Sequence, residues 1–555
     1  MRDTKVLQAG QAEWLSDTLC ESLDLMLRKR EAQKLLEQDR TCSTMYLMLE
    51  KIVTLDLNPL RLSLGFFLLC VLLKAVQLYW KKRELLRTFK SFPSPPHHWF
   101  HGHNKEISRG KEFDTSLEWA EKYPYAYPRW FGGFMAILVA NHPDYAKALF
   151  NRGDPKNMLT YRFFIPWIGK GLLLLHGPKW FQHRRLLTPG FHYDILKPYV
   201  ALIAESTKEM LCKWERLIAK DSSKSLEMFE HVSLMTLDSL MKCAFSYQRN
   251  SKAHTESNYY IKSVYDLTYM VIQRVRSAFY WNDLVYWCSP DGRRFMKACQ
   301  MAHQQTEKVI EERKKSYQEE GELEKIQKKR YLDFLDILLC AKDKNGVGLS
   351  DEDLRAEVDT FMFEGHDTTA SGISWIFYSM AQNPEHQQRC REEIQEVLGD
   401  RDTIQWDDLG KIPYTTMCIK ESLRIYPPVP SVGRQLSKPI TFCDGRTLPT
   451  GSLIAINIYN IHRNPSIWQD PEVFDPTRFS PENSSHRHSH AFVPFAAGSR
   501  NCIGQQFAMN EMKVAVAQTL LQFEILPDPT KPPVPVPQIV LRSQNGIHLL
   551  LKKLN

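Results

Sequence analysis

Phe495-Ala-Ala-Gly498-Ser-Arg500-Asn-Cys502-Ile-Gly504 is the stretch on which the reading of this chain turns. One cysteine sits among glycines, next to an arginine and at the head of the apolar run that follows. Glycines let backbone approach a flat ligand closely, because no Cβ stands in the way. A cysteine at a helix N-terminus is expected to have a lowered pKa, and the thiolate is the form that ligates metal. A solitary cysteine beside a helix start is ordinarily structural. The ten-residue pattern around Cys502 sets it apart, so Cys502 is expected to be a metal ligand.

A second segment lies upstream: Glu357-Val-Asp-Thr-Phe-Met-Phe-Glu364-Gly365-His366-Asp367-Thr368-Thr369. Ser350 and Asp353 have the spacing of a capping box, and Asn383-Pro384 ends the periodic stretch. That gives a helix of about 33 residues, near 50 Å long, enough to cross a whole domain. Glu364 and Thr368 are four apart and share one face. An acid and two threonines beside Gly365 weaken helical propensity there, and such local rule-breaking often marks function.

The rest of the chain bounds the answer. It has 555 residues, with 43% hydrophobic and 25% charged, the ordinary globular mix. A mean hydropathy of −0.38 excludes a multi-pass membrane protein. Net charge is 72 − 64 = +8, which suits an anionic membrane surface or an acidic partner and is too diffuse to demand nucleic acid. Twelve cysteines without a Cys-x-x-Cys pair argue against a disulfide framework or a zinc module. Residues 58–80 are expected to form a single membrane anchor. Within them Leu62–Trp80 holds one charge, Lys74, near enough its end to reach the headgroups. Lys81, Lys82 and Arg83 follow, and by the positive-inside rule they and all that comes after are cytoplasmic. Residues 81–97 form a basic and proline-rich linker, and 98–555 one large, mainly α domain with small β-sheets. Gly132-Gly133 and Asn545-Gly546 are expected to be hairpin turns. Residues 1–57, with 8 basic and 10 acidic side chains, form an extension of unassigned role.

The pattern Phe-x-x-Gly-x-Arg-x-Cys-x-Gly at 495–504 resembles the haem-binding signature of the cytochrome P-450 monooxygenases, and other signatures of that family occur in its order from the anchor to the C-terminus. The resemblance implies the cytochrome P-450 fold and heme b (iron protoporphyrin IX), with Cys502 as its iron ligand. Such a thiolate pushes electron density toward iron and favours O–O cleavage. Asp367 and Thr368 are by resemblance the proton-delivering acid–alcohol pair. Glu421 and Arg424, with Arg478 some fifty residues on, resemble the family's buried structural triad. Trp180, Arg184, Arg434 and Arg500 are assigned by resemblance to the haem propionates, and Phe495 to the cofactor loop. Glu-Gly-His-Asp-Thr-Thr at 364–369 looks like family 4, the fatty-acid ω-hydroxylases, in many of which this glutamate is esterified to a haem methyl. Glu364 matches it. The runs at 332–343, 417–422 and 500–509 look most like subfamily B, then subfamily A.

The resemblance also supplies partners: the membrane-bound NADPH–cytochrome P-450 reductase, cytochrome b5 as a helper, membrane lipid and a small lipophilic substrate, in the endoplasmic reticulum membrane. The chain has no flavin or nicotinamide fingerprint of its own. Lys179, Arg184 and Arg185 could face an acidic redox partner. Two other readings stand beside the monooxygenase: a haem-thiolate peroxide isomerase, which needs no proton relay, and a non-enzymatic haem or lipid-binding protein. His486, His488 and His490 are expected in an exposed loop with the sequon Asn483-Ser-Ser. Lys552-Lys553 resembles a dilysine retrieval signal, and the end of a last strand is the preferred reading.

Overall fold

The structure is a computed structural model and describes residues 59–107, 110–247, 253–318, 332–341 and 348–554. Residues 1–57, expected to be an extension, lie outside the described residues. Two compact units divide at Trp80 and Lys81.

In the first unit the apolar stretch is helical. The helix Pro59–Thr88 carries exposed apolar side chains, Phe66 and Phe67 among them, and it is the one described helix long and apolar enough to cross a membrane. It runs on through Lys81, Lys82 and Arg83 to Thr88, so the first part of the expected linker is helix. The basic residues extend the apolar stretch because Lys and Arg are good helix formers.

In the second unit, helices dominate and the sheets are small. The helix Asp351–Gln382 spans 32 residues, about 48 Å, and is buried along nearly its whole length. Ser350 starts it by accepting from Asp353 N at 3.1 Å, and Asn383 ends it. It lies against the helices Met228–Phe245 and Gln505–Gln522. At Gly365 the first crossing is close: a Cβ there would lie 2.9 Å from the flexible end of Leu240.

The larger sheet has four strands in the order Ala126–Trp130, Ala136–Ala140, Leu453–Asn457, Ser431–Gln435. Its middle pair is parallel and the outer pairs antiparallel. The expected hairpin at Gly132-Gly133 is present, but its turn is longer than two residues: Phe131 N still bonds Met135 O at 2.9 Å, and Gly132 takes φ +66°. Asn545-Gly546 joins no paired strands. The strand Arg542–Ser543 before it pairs with Pro535–Val536, and His548–Lys553 after it pairs with Leu226–Glu227 and Phe523–Pro527. Lys552 and Lys553 are the end of that last strand, paired with Glu524 and Glu215.

Candidate active site

The loop 495–504 is held by its own backbone. Cys502 N donates to Phe495 O at 2.9 Å, and Ala496 N to Val493 O at 3.0 Å. Ala496 and Gly498 both have positive φ, +58° and +72°. At Gly498 glycine is obligatory, since a Cβ would lie 2.0 Å from Phe150 O. The helix Gln505–Gln522 begins three residues after Cys502.

The loop closes one wall of a cavity of about 550 Å³, within the usual range for small-molecule sites. Cys502, Phe495 and Arg500 line it from the loop, Trp180 and Arg184 from the helix Gly177–Leu187, and Glu364 and Thr368 from the central helix. The sequence therefore brought most of its candidates to one place. Cys502 lines the cavity and is exposed there as a free thiol. Burial and then the nearby Glu364 carboxylate push its thiol up to about 11, against the opposing pull of Gly504 N–H, Arg184 and Lys156. A coordinating metal is what deprotonates such a thiol.

The cations are fixed in different ways. Arg184 donates to Asn501 O and Oδ1, both at 2.9 Å, tying its helix to the thiol loop. Arg500 donates to Leu175 O at 2.9 Å, stacks 4.3 Å from the Trp180 ring centroid, and keeps a buried Nε without a partner. Burial, then Arg434 and Arg184, lower its guanidinium to about 10. Arg434 does not line the cavity. It is buried in the strand Ser431–Gln435, where Gly433 beside it takes the cavity face, yet its charge acts on both Arg500 and Lys156. Lys156, which the sequence did not reveal, lines the cavity and feels Arg434, Glu364, Arg500 and Cys502. Burial holds Glu364 up at about 7, with Lys156 opposing.

On the central helix Thr368 and Thr369 return their hydroxyls to Glu364 O and Gly365 O at 2.8 and 3.1 Å, so the helix continues unbroken through the polar stretch. Asp367 stands apart from Thr368. It does not line the cavity; one position along the helix turns it about 100° away from Thr368. Its Oδ1 accepts from Arg542 at 2.6 Å.

Three supports surround the site. His183 and Glu357 pair at 2.6 Å, both buried, and Lys179 pairs with Asp353 at 2.6 Å, so the helix carrying Trp180 is clamped to the central helix. Of the three basic residues expected to face a partner, Lys179 and Arg184 are thus engaged, and Arg185 is exposed. Glu421 receives both arms of Arg424 at 2.7 and 2.8 Å and lies 3.3 Å from Arg478, as the triad requires. His488 stands 3.2 Å from Asp144 beyond the short helix Pro481–Ser485, which holds Asn483 exposed.

The residues present fit a haem: one sulfur donor in a glycine-bearing loop, a buried aromatic ring beside it, and cations in excess, one of them with an orphaned buried N–H, for two propionates. Comparison with known proteins agrees. The family model described as Cytochrome P450 matches residues 92–550. The chain is 59% identical to Cytochrome P450 4A6 of Oryctolagus cuniculus and 58% identical to Cytochrome P450 4B1 of Rattus norvegicus, each over 88% of this chain and 95% of the relative. It is 56% identical to Cytochrome P450 4B1 of Homo sapiens over 91% and 99%. Subfamilies A and B match almost equally well.

Proposed function

The chain belongs to the cytochrome P450 family, and from that membership we propose that it hydroxylates medium- or long-chain fatty acids at the terminal carbon, with small xenobiotics as further substrates. Its family-4 kinship makes it a haem b monooxygenase acting on lipophilic molecules, fatty acids among them. The observation that carries the proposal is one apolar cavity lined together by Cys502, Glu364 and Thr368.

Bound there, haem supplies oxygen activation at a thiolate-ligated iron. Cys502 is the ligand. Trp180, Arg184 and Arg500, with Lys156, would hold the propionates from the cavity wall, and Arg434 would add its charge from behind the strand. The Thr368 hydroxyl would hold a proton at the cavity wall, and Asp367, paired with Arg542, supports that wall from behind. The overall reaction balances as R–H + O2 + NADPH + H+ giving R–OH, H2O and NADP+. Electrons come from the NADPH–cytochrome P-450 reductase, with cytochrome b5 as a second donor, near the exposed Arg185. Methylene C–H bonds are weaker than methyl ones, so terminal attack has to be imposed by positioning. An ester from Glu364 to the haem would fix that position, and it would remove a carboxylate that is costly to bury. Glu364→Gln then leaves haem freely extractable into acidified organic solvent, where the parent retains it.

The domain organisation follows: 58–80 as membrane anchor in the endoplasmic reticulum, 98–555 catalytic and cytoplasmic. The run Lys81, Lys82, Arg83 beyond the apolar helix supports that orientation.

The test is turnover of the holoprotein with reductase, NADPH and fatty acids of graded length, products mapped by mass spectrometry. A terminal alcohol is expected. Rearrangement of a lipid peroxide without NADPH would replace this reading with the isomerase. Haem-loaded protein that turns nothing over would leave the binding protein.

A further inference from the structure

The helix Pro59–Thr88 ends on a hollow that the catalytic site leaves unused. Arg87, in the last turn of that helix, lines the hollow with Thr88, Lys90 and Ser91, and Thr447 and Pro449 close the far side. No carboxylate lines it. Among the described residues neither Arg87 nor Lys90 makes an ion pair, and the hydroxyls of Thr88, Ser91 and Thr447 make no hydrogen bond. Two positive charges and three hydroxyls thus share one space with nothing in the protein to answer them.

The walls are fixed from behind. Phe89 and Phe92 are buried in the smaller apolar core, edge to face with each other at 6.5 Å, and Phe92 meets Phe442 at 6.2 Å. Phe442 opens the turn between the paired strands Ile440–Thr441 and Thr447–Leu448, its N donating to Arg446 O at 2.8 Å, and Leu448 is buried in the same core. Arg446 lies over the Phe92 ring at 5.5 Å and is held by Asp444 at 2.9 Å. Residues 87–92 and the hairpin 440–448 are therefore packed together whether or not anything sits in the hollow. A site built in this way has little freedom left to lose when it binds.

Charge and place identify the ligand. A single exposed cation attracts little, but two that share a hollow with three hydroxyl donors match a phosphate, whose oxygens accept several hydrogen bonds at once. A phosphate monoester carries close to two negative charges at neutral pH, one for each cation. Arg87 comes seven residues, about 10 Å of helix, after Trp80 at the end of the apolar stretch. That is where lipid headgroups lie when such a stretch spans a bilayer.

We propose that Arg87, Lys90 and Thr447 form a site for the phosphomonoester headgroup of an anionic phospholipid, gripped between the end of the anchor helix and the hairpin 440–448. The bound headgroup is a second hold on the membrane. It depends on lipid composition, whereas the apolar helix depends only on bilayer thickness. It is independent of which substrate the cavity takes.

The test is native mass spectrometry of the full-length holoprotein in detergent, titrated with dioctanoyl phosphatidic acid and, separately, with dioctanoyl phosphatidylcholine. The parent is expected to bind the first about tenfold or more tighter. Arg87→Gln with Lys90→Gln should bring the two within about twofold of each other, and Thr447→Val should weaken phosphatidic acid alone by about fivefold. Lys90→Gln alone reads part of the same loss if the double variant does not fold. Lys81→Gln with Lys122→Gln removes the same charge outside the hollow and should keep the preference. A parent that binds both lipids alike, or an unchanged preference in the variants of the hollow, overturns the proposal. Loss of the preference in the Lys81 and Lys122 control overturns it too, since the attraction would then be diffuse. So does displacement by inorganic phosphate at concentrations similar to the lipid's, which would make the hollow a site for free phosphate.

Discussion

Asp367 and Arg542, 175 residues apart in sequence, meet at 2.6 Å with both side chains out of solvent. The pair joins the central helix to the strand Arg542–Ser543, and Ser371 adds a second tie one turn on by donating to Leu541 O at 2.8 Å. Residues 537–540, just before these ties, line the cavity. The acid expected to serve the proton path is therefore also a structural anchor of the cavity wall.

Removing one partner strands a buried charge. Arg542→Gln should cost about 3–5 kcal/mol, read as a lowered denaturation midpoint. Asp367→Leu combined with Arg542→Met should recover most of that loss, because an apolar pair of similar volume has no desolvation penalty. A double variant no better than the single one would show that the ion pair itself stabilises the fold.

Thr368 lines the cavity directly, and its hydroxyl has one fixed acceptor, Glu364 O at 2.8 Å. Thr368→Ala should still consume NADPH but release hydrogen peroxide in place of most of the product. Serine at the same position should restore coupling. The measurement is peroxide formed per NADPH oxidised, and tight coupling in the alanine variant would remove Thr368 from the proton path.

Two glycines of the site should answer oppositely to a methyl group. At Gly498 a Cβ would meet backbone, Phe150 O at 2.0 Å, and φ is +72°. Gly498→Ala must move the thiol loop, and haem retention should fall severely. At Gly365 the obstacle is the flexible end of Leu240 at 2.9 Å. Alanine there should be tolerated to within about 1 kcal/mol, as the helix gains what the packing loses. Haem per polypeptide and denaturation midpoints check both.

Glu511 on the helix Gln505–Gln522 is buried, accepts from Ser239, and is pushed up to about 8 by burial, with Ser239 opposing. Its folded pKa is above its unfolded one, so the unfolded chain gives up this proton first as pH rises. The group then costs stability progressively from about pH 4.5 to about 8, and the cost persists above that. Glu511→Gln should match the parent near pH 4 and exceed it at pH 8, by on the order of 3 kcal/mol or less. Melting temperatures against pH read the difference.

What the sequence disclosed was local. The thiol loop, the capped central helix and the Glu421–Arg424 pair are short patterns whose chemistry is written in consecutive residues. Lys156 and the wall at 537–540 were not legible, because each gains its meaning only from partners far away in the chain. Asp367 shows the same limit. Its place beside Thr368 was plain, but its direction depends on Arg542, and one step along a helix is enough to turn a side chain from a cavity to a wall. Asn545-Gly546 misled because a turn dipeptide specifies a bend and says nothing of which strands it joins.

The cavity draws its lining from Glu112 through Val540. A ribosome must thus deliver nearly the whole catalytic unit before the pocket has walls, and the sulfur ligand itself arrives at position 502. Haem can only be captured by a chain that is essentially finished. Until then the nascent protein exposes apolar surface meant for a prosthetic group, which makes haem supply a condition of its folding yield as well as of its chemistry.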